Sequence, residues 1–414
     1  MSDFIKYANS FQAIARLRLE SITALLEILG NPQKNLNFIH IAGTNGKGSV
    51  CAFLQNILSL SGMKCGRYTS PNMIDVCERI NIDGDNIPPN DMERILSYVK
   101  SAAEEVCKKF GEYPTPFEVW TAAAFCYFYE KKCDMVVLET GLGGKSDATN
   151  VIPAPKIAVI TRIAMDHTEY LGGTLSEIAA AKAGIIKSGG VAVTLRQSEE
   201  VMQVIKKRCQ ECACPLFVAG EAESEGFDKI YEKFSYGEID NIVCGLGGVN
   251  QVENAALAIE CAKILGISHA VIRRGIAKAK NMGRFEIVSE KPLIIFDGAH
   301  NKNGMAALAK SLKRYFDGRN ITFVSGVMAD KKYGEMLDVL RESGYGKIRT
   351  VTVKNNSRAL EAEAFAAAAR ERGFEAKSYE SINAALKNPG EVTVICGSLY
   401  LYKDFAEETE YLKK

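Results

Sequence analysis

The chain has 414 residues, enough for two or three domains, and its 47% hydrophobic and 24% charged residues are typical of globular proteins. A formal net charge of +1 excludes the strongly basic surface of a nucleic-acid-binding protein and gives no attraction to an acidic membrane. No apolar run approaches the roughly 20 residues of a membrane span. Between residues 1 and 20, the apolar side chains are spread at helical spacing rather than grouped as in a signal peptide, so we expect a cytoplasmic protein.

The 12 cysteines are irregularly spaced, and only four histidines are available to share a metal with them. Cys212 and Cys214 form a close pair, and no second pair at metal-ligand spacing lies in another part of the chain. We therefore predict reduced thiols, with a disulfide or a zinc site as the less favoured alternative.

A glycine-rich turn near the N-terminus organises the chain. Residues 36–42 form an apolar run typical of a buried strand, and a helical pattern covers residues 47–61. Between them lie Gly43, Gly46 and Gly48, which let the backbone approach an anion while the helix N–H groups point at it. The turn is shorter than the common P-loop, so an ordinary glycine-rich turn remains an alternative to phosphate binding.

Three further predicted strands end in polar residues, at the edge where ligands gather in parallel sheets. Ser70 follows strand 64–69, Glu139 closes strand 134–139, and an Asp-His-Thr triplet at 166–168 follows strand 157–163. A carboxylate at a strand end is costly to bury unpaired and suits a hard cation. Ser70 is alternatively a turn residue beside a proline, and lone Asp-His pairs are more often structural than catalytic.

The remaining patterns predict helices and strands in alternation, which indicates a mostly parallel sheet covered by helices. Thr115, Pro116 and Glu118 form a capping-box signature that by itself explains these residues. Lys182 lies among small residues, which is typical of a solvated helix face. Further elements of this first domain are helices 91–109, 115–129, 175–186, 198–211, 255–265 and 269–280, strands 191–195 and 216–219, and an antiparallel ribbon within 221–244.

We place a domain boundary between residues 281 and 282, because strand-helix alternation restarts beyond it. The predicted strands are 293–296, 321–325, 348–353 and 392–395, and the helices are 303–315, 332–343, 361–372 and 382–386. The fold class is therefore α/β, with a large P-loop-type domain (1–281) of mostly parallel sheet covered by helices and a smaller Rossmann-like domain (282–414).

Together these segments resemble the Mur ligase superfamily of ATP-dependent amide ligases, and within it the folylpolyglutamate synthase / dihydrofolate synthase family. One such segment would be a weak signal, but the ordered set spans nearly the whole chain and is specific. The matching segments are residues 43–49, 69–71, 117–118, 139–144, 147–150, 166–168, 182–185, 254–256, 283–285 and 297–301.

The resemblance implies a role for each matched position, with Lys47, Lys182 and His167 as the catalytic residues. The implied ATP contacts are Asn45, Gly46, Lys47, Gly48, Ser49 and Asn254, joined by Arg284, Asp297 and His300 from the second domain. The implied ligands of a first Mg²⁺ are Ser70, Glu139 and His167, and a carbamylated Lys182 would help to bind a second. The implied pterin-binding residues are Thr115, Pro116, Phe117, Glu118, Ser146, Asp147 and Ala148.

The implied reaction joins L-glutamate to a folate or dihydropteroate. ATP phosphorylates a carboxylate of that substrate, and the glutamate amine attacks the acyl phosphate to give an amide, ADP and phosphate. A hinge near Asn281 would let the two domains close while the acyl phosphate exists. From the resemblance we expect a monomer that binds no nucleic acid and no membrane.

Two residues depart from the family pattern, because Asn72 stands where many members have His and Lys145 where many have Arg. The family includes enzymes that add glutamate to dihydropteroate, enzymes that extend the glutamate tail and enzymes that do both. We favour a folylpolyglutamate synthase and leave dihydrofolate synthase activity open.

Two rival functions use the same scaffold. A Mur-type amino-acid ligase acting on a non-folate carboxylate is disfavoured because the phosphate loop begins at residue 43, which leaves no room for the usual extra N-terminal domain. A non-catalytic ATP-binding regulator is disfavoured because the metal and lysine positions are all present.

Overall fold

The computed structural model describes residues 7–8 and 18–411, so the apolar residues at positions 4, 5, 11, 14 and 17, whose helical spacing we noted, lie outside the described residues. The chain folds as two compact units. The first comprises the described residues up to Glu223 together with Phe234–Val243 and Glu253–Ala279. The second comprises Ser224–Lys233, Cys244–Val252 and the described residues from Lys280 onward, and it thus takes in two segments that precede the predicted boundary at 281.

An eight-stranded sheet forms the centre of the first unit, in the order β4-β3-β2-β5-β1-β6-β7-β8. The pairs from β2 through β8 are parallel, and β3 and β4 add an antiparallel edge. This confirms the predicted mostly parallel sheet. The strands are β1 (Phe38–Ala42), β2 (Cys65–Tyr68), β3 (Ile80–Ile82), β4 (Asp85–Asn86), β5 (Met135–Glu139), β6 (Ile157–Ile160), β7 (Val191–Thr194) and β8 (Leu216–Val218).

Helices cover this sheet, as the alternation predicted. In α4 nearly every side chain is buried, and the Thr115–Glu118 capping box is confirmed, since Glu118 N donates to Thr115 Oγ1 (3.3 Å) and Thr115 N to Glu118 Oε2 (2.6 Å). The helices are α1 (Glu20–Ile28), α2 (Lys47–Leu60), α3 (Pro89–Phe110), α4 (Pro116–Glu130), α5 (Thr168–Leu171), α6 (Leu175–Ala183), α7 (Glu199–Glu211), α8 (Gln251–Ile264) and α9 (His269–Lys278).

The predicted ribbon is a separate three-stranded sheet. Its strands are β9 (Glu223–Asp228), β10 (Tyr231–Tyr236) and β11 (Ile239–Val243), with β10 in the middle. Alternate residues of β10 are buried, as expected for a strand that covers apolar side chains with one face.

The second unit is built on a six-stranded sheet in the order β12-β13-β17-β14-β15-β16, parallel except for the β12–β13 pair. The strands are β12 (Glu286–Glu290), β13 (Leu293–Phe296), β14 (Ile321–Ser325), β15 (Lys347–Thr350), β16 (Glu375–Ser378) and β17 (Val392–Cys396). The helices are α10 (Lys302–Phe316), α11 (Tyr333–Glu342), α12 (Ala362–Glu371), α13 (Ile382–Ala385) and α14 (Leu401–Glu408).

Two expectations about the whole chain can be compared with the structure. All 12 cysteines are free thiols in the structure, and most of them are buried. Within residues 7–8 and 18–411, no helix has both the length and the apolar character required to cross a bilayer.

Candidate active site

The predicted phosphate loop connects β1 to α2 and is held by the segment that follows β6. The N–H of Thr44 donates to the carbonyl of Arg162 (2.9 Å), and the Thr161 hydroxyl donates to the carbonyl of Asn45 (2.8 Å). The Thr44 hydroxyl donates in turn to the carbonyl of Ala164 (3.0 Å). These contacts fix the loop before any ligand binds, which reduces the ordering that binding a phosphate would require.

Gly46 is a position in this loop that requires glycine. Its φ of 93° lies in the left-handed region, and a Cβ there would stand 2.3 Å from Oδ1 of Asn254, which lies in α8. Asn254, an implied nucleotide contact, therefore packs directly against the loop. The N–H groups at the start of α2 carry its positive dipole end, which suits a phosphate.

The contact between Gly46 and Asn254 gives a test with a matched control. We expect Gly46→Ala to weaken ADP binding at least tenfold, because the added Cβ displaces Asn254, and also to cost about 1–2 kcal/mol for the left-handed backbone. Gly62→Ala, at the far end of α2, has nearly the same φ (92°) but open space around its Cβ. It should show a similar loss in thermal unfolding yet bind ADP normally in calorimetry, and equal binding by the two variants would contradict this role.

Two lysine ammonium groups converge on one carbonyl oxygen of the loop. Lys47 Nζ donates to the carbonyl of Gly43 (3.1 Å) and to that of Thr44 (3.4 Å). Lys182 Nζ donates to the same Gly43 carbonyl (2.9 Å). The structure thus concentrates positive charge beside the loop, where an oligophosphate would need it.

Lys182 does not lie on a solvated helix face, so that general expectation is wrong for this residue. It is 4% exposed, at the end of α6. Burial lowers the pKa of its ammonium to about 7, and the nearby charge of Lys47 lowers it further, against the opposing effect of Asp166 and Asp147. A substantial fraction of the amine is therefore neutral near neutral pH, which is the form that reacts with carbon dioxide.

Glu139 lies beside the loop strand, because the register of β5 with β1 pairs it with Ile41. Its carboxylate is 4% exposed, and Oε2 accepts the N–H of Ser70 (3.1 Å). The structure therefore brings two of the three implied metal ligands together. His167, the third, precedes α5 with a φ of 50°, and its side chain is partly exposed beside Asp166.

The described residues include no group of three or more His, Cys, Asp or Glu side chains placed to hold a metal ion. A cation at this edge of the sheet would thus need other donors, such as the Ser70 hydroxyl, phosphate oxygens or a carbamate. Carboxylate, hydroxyl and phosphate oxygens are the ligands that Mg²⁺ prefers, so Glu139 and Ser70 fit such an ion.

The first predicted pterin-binding segment, residues 115–118, meets the turn after β5 through an aromatic side chain. A Cβ on Gly141 would lie 2.6 Å from Cζ of Phe117, so the turn after β5 packs closely against that ring. Phe117 also contacts Tyr68, with ring centroids 6.0 Å apart. Of the same segment, Thr115, Pro116 and Glu118 are buried, with Thr115 and Glu118 occupied by capping, which leaves Phe117 as the side chain with surface to offer.

In the second pterin-binding segment, Asp147 is buried and accepts three hydrogen bonds. Oδ2 accepts the N–H of Leu142 (2.7 Å), while Oδ1 accepts both the N–H (3.0 Å) and the hydroxyl (2.5 Å) of Thr149. Burial raises the pKa of Asp147, and these bonds oppose that shift. Its neighbours differ in exposure, since Ser146 is half-buried and Ala148 is buried. Asp147 therefore shapes the segment from inside.

Arg79 is a candidate functional residue that the sequence analysis did not single out. Its Nε donates to Oδ1 of Asn72 (3.0 Å), and its guanidinium lies 5.9 Å from the ring centroid of Trp120 in α4. Asn72, one of the two departures from the family pattern, thus orients a cation near Tyr68. An arginine within an alternating polar-apolar stretch carries no sequence signal for such a position.

Within the second unit, the implied nucleotide contacts cluster at the end of β13. The Asp297 carboxylate accepts the N–H groups of Phe285 (2.9 Å) and Ala299 (2.8 Å). Burial raises the pKa of Asp297, and the guanidinium of Arg284 opposes the shift. His300 Nδ1 lies 2.8 Å from the carbonyl of Gly298, so Nδ1 carries the proton in that bond.

Comparisons with known proteins agree with this geometry. Residues 41–262 match the Mur ligase middle domain, and residues 283–399 match the Mur ligase glutamate ligase domain. A folylpolyglutamate synthase from Lacticaseibacillus casei is 34% identical over 419 residues, which cover 97% of this chain and 96% of that protein. A dihydrofolate synthase/folylpolyglutamate synthase from Bacillus subtilis (strain 168) is 38% identical over 327 residues, 76% of each.

Solved structures extend the match to the fold. Mycobacterium tuberculosis folylpolyglutamate synthase complexed with ADP superimposes with a TM-score of 0.88 at 30% identity, covering 95% of this chain and 94% of that one. Both family models and a relative matched over nearly its full length agree. The chain therefore belongs to the folylpolyglutamate synthase / dihydrofolate synthase family of the Mur ligase superfamily.

Proposed function

We propose that this chain is an ATP-dependent ligase that joins L-glutamate to a carboxylate of a folate or a pteroate, with release of ADP and phosphate. The observation that carries the proposal is the convergence of Lys47 and Lys182 on the Gly43 carbonyl, in a chain of this family. A glycine turn with a purely structural role does not require two lysine side chains at one carbonyl oxygen, one of them buried.

The chemistry requires a carboxylate to become an electrophile. A carboxylate oxygen of the substrate attacks the γ-phosphorus of ATP, the bond to the β-phosphate oxygen breaks, and ADP leaves. The glutamate amine then attacks the acyl carbon, phosphate departs with the bonding electrons, and the amine loses a proton. We propose that the N–H groups at the start of α2 orient the triphosphate. Lys47 would neutralise the charge on the transferred phosphoryl group.

Ser70, Glu139 and His167 are the residues that we propose to hold a first Mg²⁺, and a carbamylated Lys182 would hold a second. Bound Mg²⁺ would neutralise charge on the phosphate oxygens during transfer. Glu139 is buried next to the strand that leads into the phosphate loop, and its carboxylate accepts the backbone N–H of Ser70, which supports the proposed pairing of these two residues. We propose Asn45 to Ser49 and Asn254 as nucleotide contacts, with Arg284, Asp297 and His300.

The substrate range remains part of the proposal. Of the two relatives named above, one is called a folylpolyglutamate synthase and the other carries the names of both activities. The assay must therefore offer dihydropteroate and tetrahydrofolate separately, each with L-glutamate and MgATP. We expect glutamate-dependent ADP release with tetrahydrofolate. Turnover with dihydropteroate as well would assign both activities to the chain, whereas ATP binding without turnover on either would favour a regulator. Turnover only on a non-folate carboxylate would favour the Mur-type alternative.

Glu139 gives a direct test of the metal assignment. We expect Glu139→Gln to lower glutamate-dependent ADP release at least about a hundredfold, because an amide oxygen is a much weaker ligand for a hard cation than a carboxylate. The glutamine retains an oxygen to accept the Ser70 N–H, so thermal unfolding should change little. Glu375→Gln, on an exposed strand of the second unit, is the control. Near-normal turnover by the Glu139 variant would overturn the assignment.

We also propose that the chain acts as a monomer in the cytoplasm, as the resemblance implies. Light scattering of the purified protein with and without MgATP would give its mass in solution. A dimer mass at micromolar concentration would contradict the monomer.

A further inference from the structure

We propose that His40 is a positioning residue, which acts through Thr149 to hold Asp147 and the substrate segment around it. His40 lies in the middle of β1, on the strand that leads into the phosphate loop. The inference rests on the proposed function in one respect, because it takes the segment 146–148 to line the folate or pteroate. The contacts that join His40, Thr149 and Asp147 do not depend on the proposed function.

A chain of hydrogen bonds runs from β1 to the substrate segment. His40 Nε2 lies 2.8 Å from Oγ1 of Thr149, and that oxygen lies 2.5 Å from Oδ1 of Asp147. All three residues are buried. Since the Thr149 hydroxyl has a single hydrogen and donates it to the carboxylate, it accepts from His40, and His40 must therefore carry its proton on Nε2.

The imidazole can hold this arrangement at ordinary pH because it stays neutral. Burial lowers the pKa of His40 to about 3, and the ammonium of Lys187 contributes in the same direction. Nδ1 of His40 is buried and has no hydrogen-bond partner. An apolar side chain would avoid that cost in an otherwise apolar strand, so the contact with Thr149 is the reason we find for a histidine here.

The same segment is held on its other side by Lys187 and Asn150. Lys187 Nζ donates to the carbonyls of Asn150 (2.8 Å) and Ile152 (2.7 Å). The Asn150 amide donates to the carbonyls of Lys145 (3.0 Å) and Gly184 (3.2 Å). The backbone after Asp147 is thus fixed at several points, and His40 supplies the contact that orients the hydroxyl of Thr149.

The segment around Asp147 contacts both the turn after Glu139 and the helix that carries Lys182. Its Oδ2 accepts the N–H of Leu142, in the turn that directly follows Glu139. The N–H of Lys145 donates to the carbonyl of Ala181 (2.7 Å), next to Lys182 in α6. A misplaced Asp147 would therefore move the substrate segment first, while the phosphate loop keeps its own separate contacts with the segment after β6.

Kinetics of three variants test the proposal. His40→Leu and Thr149→Val should raise the KM for the folate or pteroate roughly tenfold, the factor expected when a hydrogen bond that supports a charged group is lost. The KM for MgATP and kcat should stay within about threefold, clearly less than the change expected in the KM for the folate or pteroate. His40→Gln carries an N–H near the Nε2 position and should restore the KM. A purely structural histidine would instead lower stability in all three without this split.

The tautomer of His40 provides a readout that needs no turnover. Long-range nitrogen-proton spectra, assigned by the loss of signals in His40→Gln, should show an Nε2-H imidazole that does not titrate between pH 5 and 8. An Nδ1-H tautomer, titration near pH 6.5, or an unchanged folate KM in folded His40→Leu would each overturn the proposal. Wild-type protein inactive on every folate, yet with the expected tautomer, would instead contradict the proposed function alone.

Discussion

Lys47→Ala should reduce glutamate-dependent ADP release by at least about a thousandfold, the scale seen when a cation is removed from a transferring phosphoryl group. Its side chain donates to carbonyls of its own loop, those of Gly43 and Thr44. Its loss leaves the loop's contacts with the segment after β6 in place, so we expect the fold to survive. The measurement is coupled-enzyme detection of ADP at saturating MgATP and folate, with thermal unfolding in parallel.

Two further variants make the Lys47 result specific. Lys47→Arg keeps the charge but has a planar, bulkier head group, so we expect partial activity at most. Lys156→Ala removes an exposed lysine just before β6 and should leave turnover unchanged. Full activity in Lys47→Ala would show that the loop does not bind the reacting phosphate, whatever the family of the chain.

The parts of the fold that the sequence predicts best are those with continuous apolar runs. Strands β13 and β14 match the predicted ranges 293–296 and 321–325 residue for residue, and α2 differs from its prediction by one residue. The strands that were missed are short and polar. In β16 (Glu375–Ser378) half of the residues are exposed, because an edge strand buries little and so carries no apolar pattern.

The residues of the candidate site also differ in how well the sequence predicts their positions. Motif order placed the phosphate loop, Glu139 and Ser70 in one region, because adjacent parallel strands bring their ends together. The burial of Lys182 was not predictable, since its contact with Gly43 joins residues 139 positions apart in the chain. The role of His40 was not predictable for a related reason. A polar residue in a buried strand cannot be interpreted until its partner, here Thr149, is located in the structure.

Substitution of Lys182 should give the second large effect on turnover, and experiments on this residue also test for a chemical modification of its amine. Its buried amine can attack the carbon of CO₂, forming an N–C bond and releasing one proton, which leaves a carbamate whose two oxygens share one negative charge. We expect protein equilibrated with ¹³C-bicarbonate to show one carbamate signal in carbon NMR. The signal should vanish in Lys182→Ala and persist in Lys187→Ala, whose amine has a pKa lowered to about 8 and is the matched control.

Turnover of Lys182→Ala should fall at least about a thousandfold, since the site would lose an anionic oxygen ligand for the cation that neutralises the phosphates. Acetate or formate should then restore part of the activity, because a small carboxylate can enter the space left by the side chain and offer the same oxygens. Methylamine, which returns the cation instead, should not. Rescue by methylamine alone, with no carbamate signal in the wild type, would mean that Lys182 acts as an ammonium group, paired with Lys47 at the Gly43 carbonyl as in the structure.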